Sequence, residues 1–304
     1  MPMDRNSTTS MKKDMDPALQ SCPLCGHKAT EHLELPHTKM LKCVHRNCRL
    51  MFSYPQLDDR QLEAAYRKLY YPASDGSAAV YENTPEEILR QTFIESDSKF
   101  GPLAGKRLLD FGCGVGRLCL LAGEHAIHTT GIEPDASGRE LAAKTLGRPV
   151  YASLDELRAA EPNASFDIIT MWDVVEHLRN PWNVLEDLSR FLAPGGLILM
   201  STPNAGSLRA RLERDRWDNA TNPTHFYYFT RRSLRSVLER FGFSAIEEWR
   251  FPVRYPGHSI IRRIVNRGLW ACGMHGQLLF IARTRSSETA GSSKSGEARV
   301  EVAL

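Results

Sequence analysis

Three glycines, Gly112, Gly114 and Gly116, follow an apolar run ending in Asp110 in the stretch LLDFGCGVGRL. A glycine turn after a strand lets a ligand approach the backbone closely, because no side chain intervenes. The spacing is not that of a dinucleotide fingerprint: the third glycine comes one place too early, and Arg117 stands where the last should be. No Gly-Lys-Ser/Thr ending is present, so it is not a phosphate loop either. A carboxylate at Asp110 would repel a pyrophosphate and suits a ligand with an ammonium group. Twenty-one residues beyond Gly112, Glu133 ends the next apolar run in TTGIEPD. An acid at that place in a doubly wound sheet accepts hydrogen bonds from both ribose hydroxyls.

An ammonium site, a close turn and a ribose clamp together describe S-adenosylmethionine. The chain resembles the class I S-adenosylmethionine-dependent methyltransferases, nearest the ubiquinone-type O-methyltransferases. The residues that carry the likeness are LLDFGCGVG, GIEPD, FDIITMWDVVEHL and LAPGGLILMSTPN, in that order over about residues 100–283. The resemblance implies that Asp110 and the glycines hold the methionine end and Glu133 the ribose. It also implies that Trp172 and Asp173 lie beside the cofactor. For the adenine contact, VYASLDEL offers Ser153 or, less directly, Asp155. A simpler reading has the glycines only turning the chain and Glu133 capping the helix that begins near Pro134.

Methyl transfer from a sulfonium is an in-line displacement, in which alignment provides much of the rate. An oxygen or nitrogen acceptor must also lose a proton, and histidine suits that task near neutral pH. Two histidines compete for it. His177 follows the fourth apolar run in DVVEHL, and His225 lies in the polar and aromatic loop NPTHFYYFT. Either could instead make a fixed structural contact. Trp217, Tyr227 and Tyr228 are pocket or core. The expected acceptor is a small molecule, a glycan or a lipid-linked compound, methylated at oxygen rather than carbon or nitrogen.

Four cysteines near the start form a separate motif. CPLCG supplies Cys22 and Cys25, and CVHRNC supplies Cys43 and Cys48, with seventeen residues between the pairs. Two close pairs bring four thiolates to one tetrahedral centre, the arrangement of structural Zn2+. The second pair is wider than usual, which leaves His45 as an alternative to Cys48. With no open position, such a site is structural rather than catalytic, and it would support a module too short for a hydrophobic core of its own. The ribbon also resembles one found before the methyltransferase domain in bacterial enzymes acting on sugars, lipid-linked glycans or secondary metabolites. The competing reading is a zinc-ribbon protein that binds nucleic acid or modifies RNA. Lys28, Lys39, Lys42, Arg46 and Arg49 make a basic patch conceivable. Glu31 and Glu34 dilute it and no aromatic series interleaves the charges, so nucleic acid is the weaker partner.

These residues must be positioned by ordinary soluble architecture. In 304 residues, 42% are hydrophobic and 25% charged, and the net charge of +3 is too small to argue for nucleic acid. Seven cysteines, an odd number, point to reduced thiols and metal rather than disulfides. With no apolar run long enough for a membrane span and no signal peptide, the expected location is cytoplasmic. Strand-like runs RLLDF, IHTTGIE, RPVYA, FDIITMW and GLILMST alternate with helical segments at 117–125, 136–146, 155–160 and 181–191. That alternation predicts a parallel sheet covered on both faces. The expected fold is α/β, a doubly wound, Rossmann-like sheet of seven strands, parallel except for an antiparallel last strand. The expected organisation is a disordered tail (1–20), a zinc ribbon (21–55), a helical linker (56–100), the methyltransferase domain (101–284) and a second disordered tail (285–304). One segment stands apart. Ile260, Ile261, Ile264, Val265 and Leu269 fall at helical spacing among Arg262, Arg263 and Arg267. Residues 258–270 therefore suit either packing on the sheet edge or contact with an anionic membrane.

Overall fold

The alternating runs form a single twisted sheet. The computed structural model describes residues 21–70, 86, 89–91, 95, 99, 101–249 and 259–284. Both expected tails and most of the second linker helix lie outside these. The domain carries β4 (Arg107–Phe111), β5 (His128–Ile132), β6 (Phe166–Trp172), β7 (Leu192–Pro203), β9 (Phe243–Glu248) and β10 (Gln277–Thr284). Their order is β5-β4-β6-β7-β10-β9. β4, β5, β6 and β7 run parallel, and β10 enters antiparallel between β7 and β9.

The sheet has six strands, not seven. The expected strand RPVYA is reduced to one parallel bridge, Ile132 with Tyr151, held by Tyr151 N–H to the Gly131 carbonyl and Glu133 N–H to the Tyr151 carbonyl. Pro149 has no N–H to extend the ladder. Ser153 already caps the next helix, so no length remains for a strand.

Helices cover both faces, as continuous apolar strands require. α2 (Arg117–Glu124) packs Leu118, Leu121 and Ala122 against Leu108, Ile168 and Leu199. On the other face α4 (Leu154–Ala160), α5 (Pro181–Phe191) and α7 (Arg231–Arg240) bury Leu157, Leu185, Leu188, Leu234 and Val237 over Leu109, Ile169, Met171 and Phe280. Local signals fix the helix ends. Asp135 caps α3 (Ala136–Leu146) by accepting the Ser137 and Gly138 N–H groups, and Gly147 stops it in the left-handed region at φ 64°. Thr230 and Ser233 form a reciprocal box at the start of α7.

The ribbon is not a separate bead on this domain. β1 (Ala29–Glu34), β2 (Lys39–Cys43) and β3 (Met51–Tyr54) make an antiparallel meander. Its fourth strand is β8 (Tyr227–Tyr228), contributed by the catalytic domain. Trp217 belongs to the small core beneath this junction, with Leu35, Met40, Met51 and Tyr228. α1 (Asp59–Tyr70) follows the ribbon, α6 (Leu208–Glu213) packs Ala210 on the small core at the junction, and α8 (Ile260–Ala271) precedes β10.

The turn after β4 leaves room for nothing larger than glycine at its first position. Gly112 has φ +78°, and a Cβ there would meet Val174 Cγ2 at 2.5 Å. Gly112→Ala should therefore lose about 2–4 kcal/mol of stability, from left-handed strain plus overpacking. A chemical-denaturation midpoint unchanged from the parent would contradict this.

Candidate cofactor cleft and histidine pair

The glycine turn is shaped by its own backbone bonds and by one acid. Gly112 and Cys113 N–H groups both reach the Ile132 carbonyl, at 2.8 and 2.9 Å. Glu133 sits at the end of β5 and accepts from Gly114 N–H at 2.9 Å and Asp135 N–H at 3.0 Å. Each of its oxygens thus keeps lone-pair capacity for a ligand. Burial pushes its carboxyl up to about 7, against the lowering effect of those two backbone bonds. Gly114 and Gly116 also have positive φ, +54° and +83°, so the turn remains open to close approach.

Asp110 is buried near the end of β4. It is 2% exposed, and its oxygens accept from Thr170 Oγ1 at 2.7 Å and from the Cys119 thiol. Burial raises its carboxyl to about 6. The side chain therefore braces the turn from below and does not present a carboxylate to the cleft. α2 closes over it with the Cys119 thiol on one oxygen, and Thr170 of the neighbouring β6 holds the other.

Asp173, just past β6, has a left-handed backbone at φ 54°. Its N–H donates to Ser201, and Oδ1 accepts from Ser201 Oγ at 2.8 Å and from the Gln277 amide. Burial raises this carboxyl too. Trp172 is half-buried beside the core that α2 covers. Neither adenine candidate is arranged as a free acceptor. Ser153 Oγ takes the Glu156 N–H at 3.2 Å as a helix cap, and Asp155 pairs with Arg158 on the surface.

The two competing histidines are neighbours. Their rings meet edge to face with centroids 4.5 Å apart. His177 comes from a short turn after β6 and His225 from the loop before β8. His177 Nδ1 lies 3.1 Å from the Thr224 carbonyl and 3.1 Å from its hydroxyl. His225 Nδ1 lies 2.9 Å from the Asn219 carbonyl, and its Nε2 lies 3.2 Å from the Asn222 amide nitrogen. A ring nitrogen facing a carbonyl carries the proton, which makes Nε2 the lone-pair nitrogen in both rings. Burial lowers His177 to about 4 and His225 well below its ordinary value, so both rings are neutral at neutral pH.

Several members of this site carry no sequence signal of their own. Tyr66 and Tyr70 of α1 stand over His177 at 6.0 and 6.1 Å. Tyr70 Oη shares hydrogen bonds with Thr224 Oγ1 and the Asn222 amide. Glu176 is 1% exposed; Oε2 accepts from Thr202 Oγ1 at 2.9 Å, while Oε1 has no partner among the described residues. Burial pushes its carboxyl well above the ordinary range. Potential ligand atoms of Glu176, His177 and His225 all lie within 4.8 Å of one another.

The four ribbon cysteines converge as their spacing predicts. Cys22 and Cys48 sulfurs are 3.7 Å apart and those of Cys25 and Cys43 3.5 Å, with all four within 4.8 Å. Tetrahedral zinc with Zn–S bonds of about 2.3 Å places its sulfurs about 3.8 Å apart, so the set fits the ion. Cys48 is part of this tetrad. His45 instead stacks on His27 with centroids 4.0 Å apart, although these two rings and Cys25 form a second close group.

A family model described as Methyltransferase domain matches residues 86–248. The ubiquinone biosynthesis O-methyltransferase of Bradyrhizobium sp. (strain ORS 278) is 35% identical over 106 residues, covering 34% of this chain and 42% of its own. That of Psychrobacter cryohalolentis is 31% identical over 134 residues, 40% of this chain and 51% of its own. A third relative, the 27-O-demethylrifamycin SV methyltransferase of Amycolatopsis mediterranei (strain S699), is 32% identical over 124 residues, 37% and 46% of the two chains. The chain spans about half the length of these curated relatives.

The glycine turn and the open lone pairs of Glu133 fit S-adenosylmethionine. Ribose hydroxyls donate best to an ionised carboxylate, so binding should draw the Glu133 proton off. The ligand-free folded state holds that proton more tightly than the unfolded chain, so this group's contribution to stability falls as pH rises from about 4.5 through 7. Affinity for S-adenosylhomocysteine moves the other way, rising about tenfold from pH 6 to 8. Glu133→Gln should flatten that profile and weaken binding at pH 8 by about 2–4 kcal/mol. Calorimetry showing the same slope in both proteins would remove Glu133 from the ribose.

Proposed function

The chain belongs to the methyltransferase domain family, and on that footing we propose that it moves the methyl group of S-adenosylmethionine to a hydroxyl oxygen of a small-molecule acceptor. The observation that carries this reading is the neutral histidine pair at the carboxyl edge of the sheet, one turn beyond Trp172 and Asp173. The names of the relatives, which specify oxygen in both ubiquinone and rifamycin chemistry, support the same atom.

When bound, the cofactor supplies a methyl group already activated by a sulfonium. The chain's residues do the rest by placement. Glu133 anchors the ribose, the 112–116 turn gives the methionine end room, and Asp110 stiffens that turn from beneath. Asp173 and Trp172 border the path between the cofactor and the histidines. With Nδ1 held against a carbonyl, His177 presents Nε2 to take the acceptor's hydroxyl proton, and His225 backs it from 4.5 Å. Tyr66 and Tyr70 shut water away from that side.

A lipid-linked acceptor agrees with the surface of α8. Ile260, Ile261 and Ile264 are 74, 75 and 65% exposed, and no residue of the helix is buried. Packing on the sheet edge would have hidden them. Three arginines and no acid share the helix with these side chains, a composition that complements an anionic bilayer surface. No helix among the described residues is long and apolar enough to cross a membrane, so contact through α8 is peripheral.

Two measurements test these assignments. His177→Ala should lower turnover on a phenolic or lipid-linked acceptor by about 10²–10⁴ while S-adenosylhomocysteine affinity stays within experimental error. The same loss from His225→Ala alone would transfer the base role to His225. Sedimentation with anionic vesicles should carry the protein down at low salt and release it at high salt, and Ile261→Glu should abolish the association. Equal binding to neutral vesicles, or none to either, would leave α8 without a membrane role.

A further inference from the structure

The ribbon and the histidine pair share a set of hydrogen bonds that neither the family nor the cysteine motif foretells. We propose that Ser53 is a positioning residue through which the ribbon's metal sets the geometry of His225 against His177. The idea builds on the pair as acceptor site, but the contacts themselves do not depend on it.

Ser53 lies in β3 and is 4% exposed. Its N–H donates to the Phe226 carbonyl at 2.9 Å, and its hydroxyl donates to the His225 carbonyl at 2.9 Å. The same hydroxyl lies 2.9 Å from Tyr228 Oη. Met51 and Phe52 pair with Tyr228 and Tyr227 in the strand ladder just beside it. The backbone that follows the His225 side chain is therefore held from the ribbon by Ser53, while the Phe226 N–H donates at 2.8 Å to the Glu176 carbonyl beside His177. The ring's other restraints, Asn219 and Asn222, belong to the same loop and move with it.

β3 in turn depends on the cysteines. Cys43 N–H donates to the Leu50 carbonyl at 2.9 Å, closing the turn that holds Cys48 and starts β3. Leu24, Leu41, Leu50 and Phe52 of the ribbon pack in one core with Phe226 and Tyr227 of the domain, and zinc on the four thiolates would add the local cross-link that fixes the Cys48 turn. α1, which follows the ribbon in sequence, brings Tyr66 and Tyr70 over His177 and ties Tyr70 to Thr224 and Asn222. Two walls of the pair thus descend from the metal-held segment.

The cofactor cleft has no such dependence. Gly112 packs on Val174, Gly114 on Glu133, and Asp110 on Thr170 and Cys119, all within the domain's own sheet. Removing zinc should consequently separate two properties that a general loss of fold would remove together. The histidine pair should lose its arrangement, and the cofactor site should keep its affinity.

Nitrogen-15 spectra of the imidazole rings in the full chain read this directly, without an acceptor. With zinc present, His177 and His225 should each give a single neutral ring with the proton on Nδ1. Chelation should broaden or shift both sets of signals, and added zinc should restore them. Affinity for S-adenosylhomocysteine should stay within about twofold throughout, as expected for distant independent sites. Ser53→Ala should reproduce the His225 change while retaining one zinc per chain, and Ser53→Thr, which keeps the hydroxyl, should recover the parent spectrum. Tyr228→Phe, which leaves the Ser53 bond to His225, should resemble the parent. Unchanged ring signals in zinc-free protein, or in zinc-loaded Ser53→Ala, would overturn the proposal; should the alanine variant not fold, the chelation series decides alone. A failure of the histidines as bases would show only in turnover and would leave these spectra unaltered.

Discussion

Desolvation without an opposing fixed charge governs the carboxyl edge of this sheet. Asp110, Glu133, Asp173 and Glu176 all have raised carboxyl pKa values, and burial is the largest cause in each. His177 and His225 are lowered for the same reason. Neither lysine nor arginine is among the causes of any of these shifts. The edge thus carries less negative charge than four exposed carboxylates would, and it can gain more when something positive arrives. A sulfonium and an ammonium are positive, and an imidazolium formed by taking a proton is positive as well. Low-dielectric carboxyls that can ionise in response favour each of these more than water-exposed ones would. The strain at Asp173 and the unmatched oxygen of Glu176 fall in the same few residues, where a site tolerates local cost for placement.

Local signals in the chain predicted local structure well. The boundaries 136–146 and 181–191 coincide with α3 and α5, because an Asp cap with a Gly stop and a Pro at the helix start are unambiguous. The antiparallel last strand was legible from the missing βα unit before it. RPVYA failed as a strand because a Pro at the edge and an immediate helix cap override its β-branched and aromatic residues. A motif shows that Asp110 lies near the turn in sequence, but not that Thr170 and Cys119 hold both of its oxygens.

Long-range contacts were the part that no pattern disclosed. His177 and His225 read as rivals since 48 positions separate them, whereas the fold makes them one edge-to-face pair. Tyr66 and Tyr70 sit in a helix whose periodicity says only that it is amphipathic. Glu176 drew no notice beside its histidine neighbour, although a buried acid with one idle oxygen is the kind of group that pattern reading cannot see. Tyr227 and Tyr228 were weighed as pocket or core, and they proved to be a strand in another module's sheet.

That last feature bears on how freely such a ribbon can be exchanged between proteins. Without the segment from His225 to Tyr228, β3 would present an unpaired edge, with the N–H and hydroxyl of Ser53 both lacking acceptors. Transplanted onto a different catalytic domain, the ribbon would carry an adhesive margin toward any extended peptide nearby. The two segments are therefore fitted to each other, and the ribbon is not an interchangeable part. Over evolutionary time, a change at Ser53 should be answered in the loop around Tyr228 before it is answered anywhere else in the ribbon.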